Sequence, residues 1–440
     1  MNESEVPSLR DASRPSERAP ERSLAVSLDD MESHFRGLAT SAARVSNDLS
    51  VGVLDFAAAG NIYGSENILP AQYRAPSAER SQETRRNLER TPTAEQPRAS
   101  DQARTQILSD FRTMPLDAQA AVRQNMERIE NPNRVPPLSQ EQINRVYSAV
   151  GRLLSTNDGS SPLSLDQRRL LTMGILDNAA NPRAIDQGAH DTCNVTTLEE
   201  RLYTLNPALG AELVAHVGLT GQYRAPDGRV AHLDPANVAP DSEGRIPPHF
   251  RQADGMRNYA SQLFQLGVIN DHWQRFEPSM RFTQVRPSGR TDTGDRLSVN
   301  GHVIANETRL DLAKMEEIGR RLGFQSGYIV GNARSADAHS GVVRIRSERE
   351  LQQVLERSQG TAAWPMIIGV DANHRIFGRL RVTEGATGHV VSIVGYDRRT
   401  GTVQISDQRG RTSDLHRVPI SELYRATMPL AQSPQARPRR

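Results

Sequence analysis

The chain has 440 residues, of which 36% are hydrophobic and only 5% aromatic, with one cysteine and a formal net charge of +2. That length suits two or three domains, but the apolar share is too small for every segment to build a core. A single thiol excludes an intramolecular disulfide and a structural zinc site made of several thiolates, and it suits a reducing compartment. A charge so near zero gives no argument for nucleic acid as a partner, and the absence of any run of about 18 apolar residues excludes a helical membrane span.

Residues 1–100 carry no apolar period of either kind, and segments such as Arg14-Pro15-Ser16-Glu17-Arg18 predict a disordered N-terminal region. Its first 30 residues lack the apolar stretch of a Sec-type signal peptide. Leu49, Val51, Val53, Leu54 and Phe56 form a short exception suited to a docking element. Residues 101–180 read as helices. One amphipathic run starts at Ile107, Leu108 and Phe111 and continues through Leu116, Ala120 and Val122. A second holds Ile143, Tyr147, Val150 and Leu154, and a third Leu165, Leu170, Leu171 and Ile175. Such a region suits a prodomain, a partner-binding bundle or an outer layer of the main domain.

Residues 181–430 change character. Helical patterns near 192–206, 251–266 and 308–322 give way to strand-like runs: Gly327–Val330, Gly341–Ile345, Ala363–Val370, Ile376–Val382, His389–Tyr396 and Thr402–Asp407. Helices first and a sheet afterwards is an α+β order. The tail, 431–440, is expected to be disordered. Trp273 and Trp364 are expected to pack in the core.

The lone cysteine sits in Ile185-Asp186-Gln187-Gly188-Ala189-His190-Asp191-Thr192-Cys193. Val195, Leu198, Leu202 and Leu205 come after it at helical spacing, and Asp191 or Thr192 can act as N-cap. Cys193 then lies in the first turn, where backbone N–H groups and the helix dipole favour a thiolate. A rival start uses Thr196 and Glu199 as a capping box and leaves the cysteine outside the helix. Gln187, six residues earlier, can donate its amide to an oxyanion beside the cysteine's own N–H. His190 is too close in sequence to serve as the base from the same loop.

The run from Gly388 to Tyr396 is apolar on both faces, as a central strand requires. Asp397 to Gly401 reads as a hairpin loop, with Gly401 in a left-handed conformation. If Tyr396 faces Thr402, then Val391 faces Asp407, and His389 lies diagonally from Asp407 on the same face, roughly 7–8 Å away at the backbone. An imidazole–carboxylate hydrogen bond is feasible at that spacing, provided no bulge intervenes.

These segments resemble the papain-like cysteine peptidase superfamily. There a Gln-Gly precedes the nucleophilic Cys by the same step, and a His-x-Val-x-x-Val-Gly-Tyr strand carries the base, matched here by His389, Val391, Val394, Gly395 and Tyr396. The ends of Asp407-Gln408-Arg409-Gly410 match the short motif that holds the third residue. Bacteriocin-processing-like peptidases and one class of injected pathogen protease use Asp there. The chain departs from the usual pattern at Asp191, Thr192, Asn194 and Arg409. Its interval from Cys193 to His389 is also long, with the excess assigned to stretches around 218–248 and 283–302.

The resemblance implies a papain-like α+β domain over 181–430, with a central helix carrying the Cys packed on an antiparallel sheet carrying His and Asp. It implies a peptidase acting on a protein or peptide, with Cys193 as nucleophile, His389 as base, Asp407 as its orienting partner and Gln187 as oxyanion donor, needing no metal or organic cofactor. The same trio supports deamidation, transamidation or acyl transfer, and a degenerate copy would serve as a binding module. Lys314 is the only lysine among 54 basic residues. A GC-rich genome explains that bias, as does an effector that avoids ubiquitin in a host cytosol. The expected location is therefore a bacterial cytoplasm, or a host cytosol reached by a non-Sec route. The sequence specifies no oligomeric state.

Overall fold

A computed structural model describes residues 99–157, 159–250, 256–284, 293–332, 341–377, 388–408 and 416–427. The expectations for residues 1–98, for 378–382, for Arg409 and Gly410 and for 431–440 lie outside the described residues. The first amphipathic run is two helices, α1 (Ala99–Asp110) and α2 (Leu116–Glu130). Pro115 divides them and stands as the N-cap of α2, since proline cannot donate within a helix. Helices α3 (Gln140–Ser155) and α4 (Leu165–Ala180) each open on a capping box, Ser139 with Gln142 and Ser164 with Gln167. Next come α5 (Cys193–Leu205) and α6 (Pro207–Thr220), the latter ended by Gly221 in a left-handed conformation.

A small hairpin, β1 (Gln222–Arg224) and β2 (Val230–His232), leads to the short α7 (Pro235–Val238) and then to α8 (Tyr259–Gln274). All of α8 is buried, polar residues included, which is why an amphipathic pattern places it about eight residues early. Strands β3 (Met280–Gln284), β4 (Asp295–Val299) and β5 (His302–Ala305) form an antiparallel sheet in that order. The remaining elements are α9 (Leu312–Arg321), β6 (Ile329–Asn332), β7 (Val342–Ile345), α10 (Glu348–Ser358), β8 (Met366–Asp371), β9 (Gly388–Asp397), β10 (Thr402–Ser406), β11 (His416–Pro419) and α11 (Ile420–Ala426). Ile376 and Phe377 lie in a 3-10 turn rather than the strand expected there.

The main sheet runs in the order β11-β10-β9-β8-β6-β7. It is antiparallel from β11 to β8, but β6 pairs in parallel with both β8 and β7. The expected antiparallel sheet is therefore a mixed one, antiparallel where it carries His389 and Asp407. Helices α10 and α11 cover one face: Leu351, Leu355 and Leu423 pack with Met366, Ile368, Val391, Ile393, Val403 and Ile405. Helix α5 lies on β9 and also packs on α4, α6, α8 and α9, while α3 and α4 pack on α6. The Cys-bearing helix is thus sandwiched between a helical layer and the sheet. Trp273 is buried, its indole N–H donating to the Thr308 carbonyl at 2.9 Å, and Trp364 packs against the sheet core.

The hairpin register differs from the one expected and reaches the same end. Thr402 pairs with Asp397 and Val403 with Tyr396, one residue tighter than the expected Tyr396–Thr402 pair. The register then shifts between Gln404 and Ile405, so that Ile405 pairs with Ile393 and Ser406 with Ser392. One more step sets Asp407 opposite Val391. The bulge corrects the tighter turn instead of separating the pair. Gly401 holds the left-handed conformation (φ 63°), and Asp397 closes the turn by accepting from the Arg399 N–H at 2.9 Å.

Candidate active site

Cys193 is the first residue of α5. The helix does not wait for the Thr196–Glu199 box. The Thr196 N–H donates to the Thr192 carbonyl at 2.9 Å, an ordinary helical bond. Thr192 is the N-cap by position, but its hydroxyl makes no capping bond; it donates to Gln265 Oε1 at 3.0 Å, and Gln265 Nε2 donates to Thr196 Oγ1 at 3.1 Å. Helix α8 therefore grips the first turn of α5. Val195, Leu198 and Leu202 are fully buried and fix the rotation of the helix, while Cys193 stays partly exposed. A sulfur there meets the positive end of the helix.

His389 stands near the start of β9 and is 2% exposed. Its Nε2 donates to Asp407 Oδ1 at 2.8 Å, and Asp407 is 4% exposed. The Phe377 ring meets the imidazole edge-on, with centroids 5.9 Å apart, and limits its rotation. The second ring nitrogen, Nδ1, is buried with no conventional hydrogen-bond partner. Burial pushes the imidazole toward the neutral form. The hydrogen bond to Asp407 and the interaction with the Cys193 side chain outweigh it, and the pKa rises to about 9. The fold thus gathers Cys193, His389 and Asp407, which are far apart in sequence, at the junction of α5 with the β9–β10 hairpin.

Gln187 is 3% exposed, and its Nε2 donates to the His190 carbonyl at 2.6 Å, leaving the second amide hydrogen for another acceptor. Its main-chain N–H donates to the Gln408 carbonyl at 3.0 Å, which ties the loop before the cysteine to the residue after Asp407. Gly188 needs its type twice over. Its φ is +67°, and a Cβ there would lie 2.0 Å from Glu243 Oε2.

Two residues not singled out in the sequence complete the arrangement. Gln408 is fully buried, and its Nε2 donates to Glu200 Oε2 and to the Ser406 carbonyl (3.2 Å). Glu200 lies seven residues after Cys193, two turns along the same face of α5. Burial raises its pKa to about 7, against the opposing hydrogen bonds of Ser392, Gln408 and Ser406. Glu200 and Gln408 form a polar strut between the cysteine helix and the Asp407 turn. The signal available beforehand was a carboxylate in phase with a buried stripe; its partner lies 208 residues away.

Among the described residues no group of three or more His, Cys, Asp or Glu side chains could hold a metal ion, and no helix is long and apolar enough to cross a membrane. Comparison with known proteins finds no family model, no curated protein and no solved structure that matches the chain.

Proposed function

We propose that this chain is a cysteine hydrolase of papain-like type, acting as a peptidase on protein or peptide substrates. One observation carries the reading: the only thiol of the chain opens a buried helix beside an imidazole whose far nitrogen is held by a carboxylate. With Nε2 committed to Asp407, Nδ1 is the atom that takes the thiol proton, giving a thiolate–imidazolium pair. The thiolate attacks the substrate carbonyl. The second amide hydrogen of Gln187 and the N–H of Cys193, at the helix terminus, stabilise the oxyanion. The imidazolium returns its proton to the leaving amine, and His389 then activates the water that releases the acyl group. Asp407 holds the ring tautomer throughout.

The test is mass spectrometry of the intact chain and of a peptide library incubated with it. An acyl adduct on Cys193 is expected under rapid quench and cleaved peptides at steady state, both absent in Cys193→Ala. Adducts accompanied only by one-dalton side-chain changes or amine transfer would replace peptide cleavage with deamidation or transamidation on the same trio. A chain that forms no adduct and changes no peptide would reduce the fold to a binding module.

A further inference from the structure

A second imidazole–carboxylate pair lies three residues before the thiol. Asp295, the first residue of β4, is fully buried. Its Oδ1 accepts from His190 Nδ1 at 2.9 Å and from Gln284 Nε2 at 3.1 Å, and its Oδ2 accepts from the main-chain N–H of Asp191 at 2.8 Å. A carboxylate offers acceptors in both directions, whereas an amide of the same shape offers one. Behind it, Arg257 donates to Gln284 Oε1 (2.6 Å), to Gln265 Oε1 (3.0 Å) and to Asp241, and His190 Nε2 lies 3.9 Å from Asp241 Oδ2. On the near side, the His190 carbonyl is the acceptor that fixes Gln187 Nε2.

We propose that Asp295 is the positioning residue of the oxyanion arm: through the His190 ring and the Asp191 N–H it fixes the loop whose carbonyl aims the Gln187 amide beside Cys193. The proposal rests on the hydrolase reading above and adds to it a residue on a separate sheet, 104 positions from the loop that it holds. The carboxylate of Asp295 bonds to the His190 ring, the Asp191 N–H and Gln284. Its effect runs through Gln187, and that makes it separable from the His389 side of the site. Alkylation by iodoacetamide needs the thiolate but forms no oxyanion. Acylation by p-nitrophenyl acetate needs both.

The experiment measures both rates for the full chain and for Gln187→Ala, Asp295→Asn and the double variant. Asp295→Asn is expected to slow acylation by about 10- to 100-fold, short of the roughly 100- to 1,000-fold that loss of a whole oxyanion donor costs, and to leave alkylation within about threefold. In the Gln187→Ala background the same change is expected to slow acylation by no more than about threefold, since the two act as one unit. His190→Asn, which keeps the main-chain carbonyl and loses the ring, is expected to behave as Asp295→Asn does. Additive losses in the cycle, equal losses in alkylation and acylation, or unchanged acylation would each overturn the role of Asp295. Failure of the underlying reading shows elsewhere, as alkylation that His389→Ala leaves untouched.

Discussion

At the scale of single residues, the site is a competition between burial and pairing. Burial alone would leave His389 neutral, and Asp407 together with the sulfur holds its proton to about pH 9. On the proposed hydrolase reading the imidazolium protonates the leaving amine, so the rate is expected to fall above about pH 9. Asp407→Asn removes a charge and weakens the bond that raises the pKa, so the alkaline limb should move to lower pH by about a unit or more, read from kcat/KM against pH. Glu200 supplies the second residue-scale test. Its carboxyl is raised from 4.5 to about 7 by burial. A raised pKa in the folded state means stability that is full below the unfolded value and lost as pH rises through the folded one. Glu200 therefore weakens the fold between about pH 4.5 and 7, by about 3 kcal/mol at most, and His389 acts in the same sense between about 6.5 and 9. Glu200→Gln should raise the urea midpoint at pH 8, leave it nearly unchanged at pH 4, and flatten the decline between them.

At the scale of elements, the sequence showed the helix that carries Cys193 and the hairpin that carries His389, because each is written in local spacing. The apolar stripe from Val195 set the start of α5, and a nine-residue apolar run marked β9. The register of the hairpin was legible only in its outcome. Its turn is one residue tighter than the loop composition suggests, and a bulge restores the alignment. Helix α6 escaped notice because its sequence is apolar nearly all round, as befits a helix buried between α3, α4, α5 and α8. That burial bears on residues 101–180. Leu153 and Leu171 press on Gly218 of α6, where a Cβ would lie 3.0 and 2.5 Å from their methyl groups. A prodomain would leave a folded, faster enzyme on removal. The packing predicts instead that a chain starting at residue 181 loses near-UV circular dichroism and binds hydrophobic dyes, because α6 and α8 lose their cover.

At the scale of the whole molecule, the α+β order was readable from helical runs preceding strand-like ones, but the second sheet was not. Strands β3 to β5 occupy a stretch that reads as Thr/Gly/Asp-rich filler between Cys193 and His389. The strands are short, and their apolar positions are Met280 and Phe282 on β3, Leu297 and Val299 on β4, and Val303, Ile304 and Ala305 on β5. Yet this sheet supplies Asp295, and the long interval carries the support of the loop before Cys193. Such support depends on partners over 100 residues apart, which no local pattern encodes. The same holds for the Glu200–Gln408 strut and for the Gln187–Gln408 main-chain bond. Cys193, His389 and Asp407 were recognisable by type and spacing, whereas the groups that hold them were not.

The central claim is that the imidazole of His389 keeps the Cys193 sulfur ionised. Its most direct test is the rate of iodoacetamide alkylation between pH 5 and 10, in the intact chain and in His389→Ala. Rapid labelling of the intact chain is predicted at pH 6, well below the ordinary thiol range, with labelling at least about tenfold slower in the variant at that pH, recovering only as an isolated thiol ionises. Superimposable profiles for the two proteins would contradict it.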